Sequence, residues 1–226
     1  AASQGVPLSG GISMETIADE ALLTDRGRLV PLYKAQVTGD ISGYSEYSEH
    51  AFADQRIRRA DDDVHANCHG WVFTGGTRLL RGRGVEMILE DNGYHLVKEP
   101  AAGDVIVYRD CMNQIIHTGL VRTALDDGLV LVESKWGIEG RYLHRPEDQY
   151  YSKTYQYYRS TREPQEASAQ ARHLVRAVKV LPGSLDSPNQ VPTALADGGP
   201  MSSIPPLADV NGIPLPKGET YSVGAE

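Results

Sequence analysis

Between residues 103 and 133 the chain runs through short apolar segments cut apart by turn signals, and that spacing leaves little choice of fold. Gly103-Asp104 turns into Val105-Ile106-Val107-Tyr108, and residues 109–114 connect this run to Ile115-Ile116-His117-Thr118-Gly119-Leu120-Val121. Asp126-Asp127-Gly128 then turns the chain into Leu129-Val130-Leu131-Val132-Glu133. Short apolar runs bounded by Asp and Gly read as strands, and connections this brief return each strand antiparallel to the last. Tyr155 to Arg159 closes the series. Two helices precede it: Cys68 to Phe73, ended near Gly75-Gly76, and Val85 to Glu90, stopped by Asn92-Gly93. Helices followed by an antiparallel meander define an α+β fold, with helices packed on the sheet.

This core occupies residues 63–160. Residues 1–62 read as an N-terminal extension carrying one short amphipathic helix, Met14 to Leu23, with Ser13 as its N-cap. Ile41 to Asp63 is polar and carries no assignable pattern. Residues 161–226 form a third region. Gln165 to Val180 offers one helix, with Ala171, Leu174, Val175 and Val178 at helical spacing. From about residue 183 the chain is rich in proline, glycine and serine and reads as a disordered or extended tail.

The formal charge of −8 argues against a nucleic-acid binder, which needs a basic surface. No apolar run reaches the roughly 18 residues of a membrane span. The two cysteines, Cys68 and Cys111, are too few for a disulfide framework, so the core must hold the fold. The first residue is Ala1, not methionine, which fits a processed N-terminus. A secreted or periplasmic location follows if a signal was removed, and a cytoplasmic one if it was not.

The chemistry-bearing stretch is Asn67-Cys68-His69-Gly70-Trp71. A thiol has a free pKa of about 8.5 and needs a neighbouring imidazole to become a thiolate at neutral pH. His117, at the mouth of an apolar strand, can supply it. A third polar group must orient that imidazole, and Glu133 closes the next strand. His117 and Glu133 lie across a single turn, so adjacent strands can set them side by side. Cys68 at a helix start also gains from the helix dipole. The plainer alternatives are a buried structural Cys68, a disulfide to Cys111, a core His117 and a solvated Glu133. His69, Trp71 and Trp136 are candidates for lining a cleft, and Asn67 for holding an oxyanion. His65, Cys68 and His69 could begin a zinc site, but Cys111, His95 or His144 would have to complete it without a familiar spacing. The tyrosines between 150 and 158 read as strand packing rather than a groove.

The order of these motifs resembles the NlpC-type and CHAP-type cysteine hydrolases of the papain-like superfamily. The resemblance rests on Asn67 to Trp71, on Pro100 to Tyr108 with its Gly103-Asp104 turn, on His117-Thr118-Gly119-Leu120-Val121, and on Val132-Glu133-Ser134. A glutamate in third place looks closer to the CHAP branch, while His-Gly-Trp after the cysteine and the Arg78–Gly84 loop depart from the pattern. The resemblance implies a papain-like core with a Cys68–His117–Glu133 triad. Its activity would be hydrolysis of an amide or peptide bond, in peptidoglycan or a similar peptide, without a cofactor. Transfer of the acyl group, deamidation of a protein, or an inactive binding module of the same fold are the alternatives it leaves.

Overall fold

The computed structural model describes residues 11–39, 52–162, 170–181 and 183–185. Among the described residues two helices, α1 (Cys68–Thr74) and α2 (Gly82–Asp91), lie among ten strands. The strands are β1 (Gly11–Leu23), β2 (Leu29–Thr38), β3 (Arg56–Ala60), β4 (Tyr94–Val97), β5 (Val105–Arg109), β6 (Ile115–Ala124), β7 (Val130–Lys135), β8 (Arg141–His144), β9 (Thr154–Ser160) and β10 (Ala177–Lys179). A seven-stranded sheet runs in the order β3-β8-β7-β6-β5-β9-β4, and a three-stranded sheet in the order β10-β1-β2. Every pairing is antiparallel. The molecule is therefore α+β, with two helices packed on antiparallel sheets.

Alternation along the central strands sorts side chains into two layers. Val105, Val107 and Leu120 meet Val72, Phe73, Val85 and Ile88 of the helices. Ile106, Tyr108, Ile116 and Val132 face the other way, under Tyr151, Tyr155 and Tyr157. Asn67 starts α1 by accepting the Gly70 N–H, and Gly75 ends it at φ 69°. Gly70 has a separate reason to be glycine. A Cβ there would lie 1.8 Å from the Arg78 carbonyl oxygen, so α1 can approach that backbone only without a side chain.

Several expectations need correcting. Met14 to Leu23 is not a helix but most of β1, paired with β2. The register shifts between Thr16 and Ala21, and this bulge moves Ile17, Ala21 and Leu22 off a strict two-residue period into a helix-like spacing. Residues 11–39 and 52–62, expected as part of an extension, pack into the core and the large sheet. Leu22, Val30 and Leu32 share the main core with the helices, and β3 forms an edge of the large sheet. The β1–β2 turn is also tied to α2, because buried Asp91 receives Thr24 Oγ1 at 2.6 Å and Arg28 Nε at 2.7 Å. Between Gln165 and Val180 the described residues form a short 3-10 turn, Ala171–His173, and then strand β10. Residues 163–169, and the tail from 186 onward, lie outside the described residues, as do 1–10 and 40–51. Cys68 is buried and Cys111 exposed, and no disulfide joins them, which removes that alternative.

Candidate functional site

Strand register decides what can meet what. On β5–β6, Tyr108 pairs with His117 and Val105 with Leu120 without interruption. On β6–β7, Leu120 pairs with Glu133. Paired residues share a face, and residues three apart on a strand do not. His117 and Glu133 therefore project from opposite faces of the sheet. Helix α1, which Cys68 begins, packs on the Leu120 face. The structure does not assemble the expected triad. A single turn between two strands fixes that they are neighbours, but only the register fixes the face.

Each of the three has other surroundings. Cys68 is buried at the start of α1. Glu133 is buried between two guanidiniums, with Arg122 Nε at 2.7 Å and an Arg141 nitrogen at 3.1 Å. This pairing offsets the cost of a carboxylate inside the fold. His117 is fully buried, stacked on Tyr151 at 3.8 Å between ring centroids and 8° between planes. Neither of its ring nitrogens has a hydrogen-bond partner. Burial holds its pKa well below the usual imidazole value, with the charges of His144 and His69 adding to the effect.

The four expected lining residues also serve the fold. Asn67, expected to hold an oxyanion, ties the backbone together: its Oδ1 accepts from the Gly70 and Leu80 N–H groups, and its Nδ2 donates to the Leu80 carbonyl at 2.8 Å. His69 is buried, with Nδ1 3.0 Å from Thr118 Oγ1, and burial pushes its pKa down to about 3. Trp136 is not a cleft wall, because it lies fully buried on the His117 face, its indole N–H donating to Ser134 Oγ at 3.0 Å. Trp71 is the exception. It is mostly covered, with Arg122 and Arg141 over its ring at 5.7 and 5.5 Å, and it borders a cavity. The zinc alternative finds no support, since no group of three or more metal-ligating side chains occurs among the described residues. His65 instead contacts Asp63, and His144 contacts Ser134.

That cavity, of about 350 Å³, is the best candidate site on the helix side of the sheet. Asp61, Asp63, Trp71, Lys135, Arg141 and Gln170 line it. The sequence reading passed over Lys135, Arg141 and Arg122. A lysine inside Val132-Glu133-Ser134-Lys135-Trp136 was the available signal, since an ammonium in a buried strand needs a partner. Lys135 finds three: its Nζ donates to the carbonyls of Asp63, Gly137 and Glu139 at 2.5, 2.7 and 3.0 Å. Burial lowers its pKa to about 8, opposed by the charges of Asp63 and Cys68 among others. Also missed was a directed chain on the opposite face. The His144 Nδ1–H donates to the Arg145 carbonyl at 2.6 Å, so Nε2 accepts from the Ser134 hydroxyl at 2.7 Å.

Compared with protein-family models, with curated proteins and with solved structures, the chain matches none. No helix among the described residues is long and apolar enough to cross a membrane.

Proposed function

We propose that this protein is a binding domain of papain-like type whose cleft beside Trp71 takes a peptide or peptide-like ligand. The observation that carries the reading is the pairing of opposite charges around one indole. Arg141, whose guanidinium reaches Glu133 through one nitrogen, carries further N–H donors suited to a carboxylate. Asp61 and Asp63 offer oxygens to an ammonium on the same rim. A ligand carrying both groups, as peptides and peptidoglycan stems do, satisfies both. The papain-like part rests on element order: a cysteine at a helix start, then a Gly-Asp turn into β5, then the His117 and Glu133 strands beside it. The net charge of −8 gives nucleic acid no foothold. Calorimetric titration with short peptides tests the reading. Free peptides should bind, N-acetylated and C-amidated forms more weakly, and Arg141→Gln should lose the carboxylate dependence. No heat with any peptide overturns it.

A second reading, thiol chemistry on an amide carbonyl, is favoured by one observation: a buried ammonium, Lys135, lies close enough to Cys68 for their charges to interact. In that reading the Cys68 thiolate attacks the carbonyl carbon, and the C–N bond breaks as the amine takes a proton from the Lys135 ammonium. Water then adds its hydroxyl to the acyl carbon and its proton to Lys135, releasing the acid and restoring the thiolate. The rate of Cys68 alkylation against pH, with Cys111 as internal comparison, separates the two. Reaction well below pH 7 that is lost in Lys135→Met supports the enzyme. Reaction no faster than an ordinary thiol near pH 8.5, consistent with its burial, leaves the binding domain.

A further inference from the structure

The three carbonyls around Lys135 come from segments far apart in the chain. Asp63 precedes α1, while Gly137 and Glu139 belong to the turn between β7 and β8. All three oxygens converge on one point at 2.5–3.0 Å. Three backbone carbonyls turned inward without a donor would be costly, because each would lose its water and gain nothing. An ammonium has three N–H donors and no acceptor, so it fits this geometry one bond to each oxygen. A neutral amine has only two donors and leaves one carbonyl unpaired, so the arrangement opposes the effect of burial and favours the charged form.

We propose that the carbonyls of Asp63, Gly137 and Glu139 form a monovalent-cation cradle that the chain fills with its own Lys135 ammonium. The distances define the class of cation. Calcium takes about six to eight oxygens at about 2.3–2.6 Å, more and closer than these. Potassium is held by backbone carbonyls that replace its hydration shell, and free ammonium repeats the lysine head group. The adjoining cavity, which Lys135 lines together with Asp61, Asp63 and Arg141, supplies an entry path with two carboxylates on its border. The filled cradle is also a strut, joining the approach to α1 to the β7–β8 turn and fixing one wall of the cleft. This assignment is independent of which ligand the cleft takes.

Thermal unfolding of the full chain tests it, in chloride salts of potassium, ammonium and tetramethylammonium at equal ionic strength. Lys135→Ala should melt lower than the unsubstituted protein in tetramethylammonium, and regain most of that loss as potassium or ammonium rises. The unsubstituted protein and Lys135→Met, whose side chain fills the space without charge, should show no such preference. Equal responses of all three proteins to every salt overturn the proposal. So does a Lys135→Ala chain that stays unfolded in potassium and ammonium while Lys135→Met folds, because a restored cation should restore the strut.

Discussion

Asn67 shows how a residue type suited to chemistry can serve architecture. One amide caps α1 and holds both the N–H and the carbonyl of Leu80. Asn67→Ala should therefore cost more than a lost cap, which is worth about 1 kcal/mol. The stranded Leu80 carbonyl adds about 1–3 kcal/mol. Denaturant unfolding should show a total of roughly 2–4 kcal/mol, and a loss under 1 kcal/mol would contradict the bonding described. His117 makes the opposite case. Its two nitrogens are buried without partners against Tyr108 and Tyr151, so it bears a desolvation cost that an apolar ring of similar shape does not. His117→Phe should leave stability unchanged or raise it, by up to about 2 kcal/mol. A marked loss would mean that the imidazole has a partner in solution. At this scale the sequence disclosed which residues were unusual, since every one of Cys68, His117 and Glu133 is buried. It could not disclose their faces, because one step of register reverses them.

At the scale of elements, legibility followed local signals. Helix α1 was readable from its Gly75-Gly76 stop, and α2 from Asn92-Gly93; the strands β5 to β7 were readable from their apolar runs and turns. Strands β3, β4 and β8 are short and rich in charge or histidine, and they exist because neighbours offer unpaired edges. Nothing local announces them. Strand β1 was misread because its bulge imitates helical spacing, as tertiary pairing overrides propensity. The close approach of α1 to the Arg78 backbone gives a sharp test at this scale. Gly70→Ala adds only a methyl group and raises helix propensity, yet its Cβ would overlap a backbone oxygen at 1.8 Å. It should destabilise the protein by about 3 kcal/mol or more in chemical denaturation. A stabilised variant would show that α1 sits farther from that backbone.

Across the whole molecule, buried histidines make stability sensitive to acid. Burial pushes His69 down to about 3, and His144 and His173 down to about 4. His117 is held well below its usual value. The unfolded chain binds these protons near the ordinary value of about 6.5, so it gains protons that the folded chain refuses. Stability from this source is complete above about pH 6.5 and falls as pH drops toward the native values. Each histidine loses about 1.4 kcal/mol per pH unit, enough together to unfold an ordinary domain between roughly pH 6 and 4.5. Circular dichroism against pH should show a cooperative loss of structure there, and His173→Gln should move the midpoint lower. A chain fully folded at pH 4 would contradict the neutral, buried imidazoles. The strand order bears on a different question, the timing of assembly during synthesis. Glu20 pairs with Lys179, and Arg56 with His144, so both sheets are finished by residues made long after their first strands. Until β8 and β10 are made, β3 and β1 lack these partners, and a nascent chain halted before residue 177 still leaves the β1 edge open, so a chaperone should hold it and a ribosome-stalling assay should find it protease-sensitive.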